Sequence, residues 1–262
     1  MDLNLKGKNV LVAASSKGIG KAVAEQFASE GANVMICSRN TDTLITAAED
    51  LRQRFDTNIY DKKADLSRKE DIEELVQAAV AAFGGIDVVV TNAGGPPSGT
   101  FEDTDDALWE QAFNQNLMSV IRLIRCTLPF LRESDSARIV NIASTSVKQP
   151  IDGLILSNTF RAGIAGLAKT LSNELAPYGI LINTVAPGRI ATDRTLYLDR
   201  LKSDILNTNV EDIRTQSEKA IPLSRYGQPD ELAKMVVFLC SQANTYTTGQ
   251  TVVVDGGMVK SI

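Results

Sequence analysis

Short β-branched runs alternate along this chain with longer stretches whose apolar residues recur at helical spacing. The runs at 8–13, 33–37, 59–64, 86–91, 138–143, 181–185 and 250–254 predict strands. Between them, Ile19, Ala22, Val23 and Phe27 share one helix face, as do Ile164, Leu167, Ala168, Leu171 and Leu175. Strands separated by helices need crossover connections. The expected fold class is therefore α/β: a doubly wound, mostly parallel seven-stranded sheet with helices on both faces. The nearly unbroken apolar runs at 10–13 and 88–90 predict central strands covered on both sides.

Local signals place two helix starts. Ser67 and Glu70 have the spacing of a capping box after the third strand, and Gln228-Pro229-Asp230-Glu231 supplies a proline and acids for a late helix. The stretch 189–224 is charged and weakly patterned. Lying just past a strand's carboxyl end, it predicts a lid over a pocket, with a helical surface insertion as the other reading. Trp109 is expected to pack its helix. Pro96-Pro97-Ser98-Gly99 makes a stiff loop at a pocket wall. No linker or repeat divides the chain, so residues 1–262 are expected to form a single domain.

Composition narrows the partners. A net charge of −5 offers no general attraction to nucleic acid or anionic membrane, and neither is expected as a partner. No apolar run reaches membrane-spanning length, and the start lacks the basic-then-apolar pattern of a signal peptide, so a cytoplasmic location is expected. The chain has no histidine, which removes a Ser-His-Asp hydrolase and a histidine base. Cys37, Cys126 and Cys240 are isolated and are expected to be buried hydrophobes, with no metal site.

The first strand runs into Ala13-Ala14-Ser15-Ser16-Lys17-Gly18-Ile19-Gly20 and then a helix. Glycines at such a turn let backbone N–H groups and the positive helix end approach a pyrophosphate. The second strand ends in Ser38-Arg39 where an acid would bind the ribose hydroxyls of NAD. An arginine there suits the 2′-phosphate of NADP, so NADP(H) is expected and NAD(H) is the weaker alternative. Lys17 adds a second positive charge to the loop.

These stretches, together with Asp65-Leu66, Asn92-Ala93-Gly94, Asn116, Ser144, Pro187-Gly188 and the tail from Ile221 to Gly257, resemble a short-chain dehydrogenase/reductase of the classical type over essentially the whole length. The resemblance implies a Rossmann fold. It also implies that Asp65 bonds near the adenine, that Asn92, Ala93 and Gly94 support the adenosine side, and that Pro187, Gly188, Ile190 and Thr192 hold the nicotinamide amide and pyrophosphate. It implies a homotetramer or homodimer through helices near 105–132 and 157–177. The generic label it carries is a 3-oxoacyl carrier-protein reductase-like enzyme. At the phosphate loop the family's first glycine is Ala14, a change that binding tolerates if the backbone there does not need positive φ.

The same resemblance implies a catalytic group of Asn, Ser, Tyr and Lys. Asn116 and Ser144 match it, but the tyrosine and lysine positions carry Ser157 and Arg161, and no tyrosine lies between Tyr60 and Tyr178. A serine hydroxyl is too weak an acid to replace the tyrosine unaided, whereas Arg161 keeps a positive charge and hydrogen bonds for a ribose. Three readings follow. The first is an NADP(H)-dependent oxidoreductase acting on a small carbonyl or alcohol, its proton coming from water ordered by Asn116, Ser144 and Ser157 or from Tyr197 in the lid. The second is a silent NADP(H)-binding sensor or partner subunit. The third is dehydration or isomerisation, with Asp152 and Asp193 as the nearby acids. Arg189, Arg194 and Lys148 would favour an anionic substrate unless they are solvated surface charges.

Overall fold

The computed structural model describes residues 2–261. Seven strands form one sheet in the order β3-β2-β1-β4-β5-β6-β7, and every pairing is parallel. They are β1 (Asn9–Val12), β2 (Asn33–Ser38), β3 (Ile59–Lys63), β4 (Val88–Thr91), β5 (Arg138–Ile142), β6 (Leu181–Pro187) and β7 (Thr251–Val254). The order reverses between β1 and β4. At such a switch point the loops leaving neighbouring strands diverge and open a crevice at their carboxyl ends.

Alternation within a strand sends successive side chains to opposite faces, and each face has its own helices. Val10 and Val12 of β1 pack with Val23 and Phe27 of α1 (Gly18–Ser29) and Leu44 and Leu51 of α2 (Thr41–Arg54). Leu11 and Ala13 look the other way. They pack with Ile72 and Leu75 of α3 (Lys69–Phe83), and that layer is continued by residues following α4 (Asp106–Phe113). There Leu123 and Ile124 of α5 (Ser119–Leu131) and Ile164 and Ala168 of α6 (Ile155–Leu175) complete the second layer. Phe27 is wholly buried, so truncating it to alanine removes about 3–5 kcal/mol of stability. Trp109 packs edge-on against Phe160, as expected of a helix packing residue.

One local expectation is corrected. Ser67 does not cap α3, whose N-cap is Arg68 without a side-chain cap bond. The Ser67 N–H and hydroxyl instead donate to Asp65 at 3.0 and 2.8 Å, a tight local turn that outcompetes the cap. Across that turn Asp71 accepts the Asp65 N–H at 2.8 Å. The charged stretch past β6 is largely helical, forming α7 (Asp193–Leu206) and α8 (Val210–Lys219). The final helix, α9 (Pro229–Cys240), begins as its sequence predicts, the Gln228 N–H donating to Glu231 at 2.7 Å.

Candidate active site

A cleft of about 760 Å³ opens over the carboxyl ends of the strands at the switch point. Its size suits a sizeable organic ligand. One end is the turn from β1 into α1. Lys17 is the N-cap of α1 but supplies no side-chain bond, so the first N–H groups of the helix have no capping partner. Gly20 sits where a Cβ would lie 2.9 Å from both Asn92 Nδ2 and Ser15 Cα, so only glycine lets the helix start this close to the strand. Asn92 Nδ2 ties this turn to β4 by donating to the Ala14 carbonyl at 3.2 Å.

Ala14 corrects an expectation. Its φ is +47°, inside the left-handed region, so the turn holds an alanine where the backbone favours glycine. The cost is roughly 1–2 kcal/mol of local strain, carried by the surrounding bonds.

Ser16, Lys17, Gly18, Ile19, Ser38, Arg39, Asp65, Leu66, Ala93, Gly94, Pro187, Gly188, Ile190 and Thr192 all line the same cleft, as do Ala14, Gly20 and Asn92. The Ser16 hydroxyl donates to that of Ser38 at 2.9 Å, joining the phosphate loop to the end of β2. Burial opposes the charge of Asp65, yet its bonds from Ser67, with Arg39 and Arg68 nearby, hold the carboxyl below its ordinary range. Arg39 itself is exposed at the rim. Lys17 lies 3.6 Å from Asp193 across the mouth, an exposed pair that water screens heavily.

The other end is built from β5, α6 and the start of α7. Ser144 follows β5, where its Oγ accepts the Ser146 N–H at 3.2 Å. Ser157 and Arg161 lie one turn apart on α6, and all three line the cleft. The Ser157 hydroxyl is nearly buried and makes no hydrogen bond among the described residues. Arg161 is 5% exposed and donates to the carbonyls of Ile142 at 2.8 Å and Ala93 at 3.1 Å. It braces the ends of β4 and β5 and carries a positive charge between them. Burial, with Arg194 adding repulsion, pushes its guanidinium down to about 10. It therefore stays a cation near neutral pH.

Several expected residues fall elsewhere. Asn116 lies in a π-helical turn, Asn114–Met118, which points it at the loop after β4. It is fully buried, does not line the cleft, and donates to the Gly94 carbonyl at 2.7 Å. It positions that loop and reaches no ligand directly. Tyr197 is half exposed, lies off the cleft and stacks under Arg194 at 5.4 Å. Lys148 is exposed and off the cleft. Arg189 is on the wall, but Asp199 accepts from it at 2.6 Å, and Tyr226 bonds to both. Asp152 and Asp193 line the cleft and are both exposed. Gly95, Gln149, Met258 and Val259 join the wall without a sequence signal, because returning loops bring them there.

The family model described as enoyl-(acyl carrier protein) reductase matches residues 13–259. The chain belongs to the short-chain dehydrogenase/reductase family. It is 33% identical to the 3-oxoacyl-(acyl-carrier-protein) reductase FabG of Aquifex aeolicus, over 98% of this chain and all of that protein. L-sorbose reductase from Gluconobacter frateurii, solved with NADPH and L-sorbose, superposes at a TM-score of 0.95 with 31% identity over 100% of each chain. An NADPH-bound short-chain oxidoreductase from Pseudomonas aeruginosa PAO1, described as containing an atypical catalytic center, superposes at 0.89 with 29% identity, covering 98% of this chain and 100% of that one.

Proposed function

We propose that the protein is an NADP(H)-dependent oxidoreductase that interconverts a carbonyl and an alcohol, with water at Ser144 and Ser157 as the proton source in place of a tyrosine. The observation that carries this reading is the convergence of two serine hydroxyls and one buried cation on the wall of a cleft whose far end is a nucleotide cradle.

The cradle fits a phosphorylated dinucleotide. Uncapped N–H groups of α1 and the close approach enforced at Gly20 suit a pyrophosphate, and Arg39 at the end of β2 suits a 2′-phosphate. NADPH in the structures of two relatives supports the same choice of coenzyme. When bound, a nicotinamide supplies the hydride that a carbonyl carbon accepts. Ser16, Ser38 and Arg39 would hold the adenosine end, and Thr192 and Ile190 the nicotinamide end.

Ser144 accepts the Ser146 N–H through a lone pair, which leaves its own proton free for a carbonyl oxygen. As that oxygen becomes an alkoxide, the fixed charge of buried Arg161 stabilises it. A water between Ser144 and Ser157 then gives its proton to the alkoxide, and the hydroxide left behind is neutralised from solvent. Tyr197 takes no part, since it lies off the cleft.

NADPH oxidation measured against a panel of ketones and aldehydes tests this reading. Wild-type protein should turn over at least one carbonyl, Ser144→Ala should lose roughly a hundredfold or more, and Tyr197→Phe should match wild type. NADPH binding without turnover across the panel, with activity appearing only in Ser157→Tyr/Arg161→Lys, would establish the silent nucleotide-binding protein instead.

A further inference from the structure

The chemical end of the cleft holds more positive charge than the described residues neutralise. Arg161 and Arg194 both line it, and neither has a carboxylate within ion-pair distance among the described residues. Arg161 spends donors on two backbone carbonyls. Arg194 spends one, Nη2 donating to the Pro96 carbonyl at 2.6 Å. That single bond leaves most of a five-donor fork unused. The remaining cations nearby are accounted for: Arg189 by Asp199, and Lys17 by Asp193.

Arg194 is also held in place. It leaves the first turn of α7, crosses the cleft and lies against the backbone of Gly95, where an added Cβ would come within 2.8 Å of Nε. Tyr197 supports the guanidinium from the side at 5.4 Å. A planar cation fixed by a carbonyl, a glycine and an aromatic ring, beside a second cation, is prepared for an anion.

We propose that the substrate carries an anionic group near its carbonyl and that Arg194 binds it, making Arg194 the specificity residue and Gly95 its positioning residue. This rests on the reading of the cleft as a carbonyl site. A carboxylate and a phosphate present the same oxygen pair to the fork, and paired probes separate them.

The test is equilibrium binding to the protein–NADPH complex, read by nicotinamide fluorescence so that no turnover is needed. The probes are pyruvate, acetoacetate and levulinate against their methyl esters, and dihydroxyacetone phosphate against dihydroxyacetone. Wild type should bind at least one anion about tenfold to a hundredfold more tightly than its neutral partner. Arg194→Met should abolish that preference, Arg194→Lys should keep part of it, and Gly95→Ala should weaken it by moving the flexible guanidinium without changing charge. Equal binding of acids and neutral partners, no binding of either, or a preference that survives Arg194→Met overturns the proposal. So does an equal loss of NADPH affinity in Arg194→Met, which would give the guanidinium to the coenzyme's phosphates. Anion preference without turnover would leave this inference standing and sink the carbonyl chemistry; turnover indifferent to charge would do the reverse.

Discussion

The two ends of the cleft are made in different ways. At the nucleotide end the contacts offered to a ligand are mostly backbone: uncapped N–H groups of α1, a glycine pressed against Asn92, and one exposed arginine at the rim. At the chemical end they are side chains: Ser144, Arg161 and Arg194, each fixed by bonds to distant carbonyls or neighbours, and Ser157, whose hydroxyl bonds to none of the described residues. Backbone recognition tolerates substitution as long as the turn keeps its path. Side-chain recognition changes with each residue. The two ends therefore respond differently to the same kind of substitution.

The sharpest break of this contrast is at Arg161. Arg161→Met should lower kcat/KM by about a hundredfold to a thousandfold, because it deletes the fixed charge and leaves two buried carbonyls unpaired, while Arg161→Lys should recover part of the loss. Next is the anchor of α7. Asp199 is buried and holds Arg189 and Tyr226, so Asp199→Asn should cost about 3 kcal/mol in a urea unfolding curve by stranding a guanidinium. On the nucleotide side, Arg39→Ala should weaken NADPH binding roughly tenfold to a hundredfold and leave NADH nearly unchanged, in a paired fluorescence titration.

Two smaller effects sharpen the comparison. The buried guanidinium of Arg161 is pushed down to about 10, below the ordinary arginine value of the unfolded chain. The cation is therefore disfavoured by folding at every pH below about 10, and that cost is relieved only as pH rises from there toward the unfolded value. Activity runs the opposite way: kcat/KM should stay flat from about pH 6 to about pH 9 and fall beyond, as the charge at the alkoxide is lost. A steep change near pH 7 would demand another titrating group. Last, Ala14→Gly should raise stability by about 1 kcal/mol and leave NADPH affinity equal or better, by relieving the left-handed backbone at the loop.

The strands and their order of appearance were readable because apolar periodicity is a local property. Each expected strand lies within two residues of the observed one at either end, and Pro187 extends β6 past its expected end. The tight glycine turn from β1 into α1 was readable for the same reason, since its glycines act on neighbouring backbone. Ser67 misled because two local bonding patterns compete for one hydroxyl, and Asp65 offered the better acceptor. That Asn116 and Tyr197 lie off the cleft was not readable, because the direction a helical side chain faces depends on a π-helical turn or on packing between elements.

The sequence by itself determined a doubly wound α/β sheet, a nucleotide loop with an arginine at the ribose position, and a chemical end lacking both tyrosine and histidine. Residue type and short-range spacing suffice for those. Tertiary structure alone decided which charges are free. Arg189 and Arg194 lie five residues apart, just before α7 and in its first turn, yet a buried carboxylate claims the first and only a backbone carbonyl claims the second. The availability of a charge depends on what long-range folding brings within about 4 Å of it and on how much water it removes, and neither is written in the neighbouring residues.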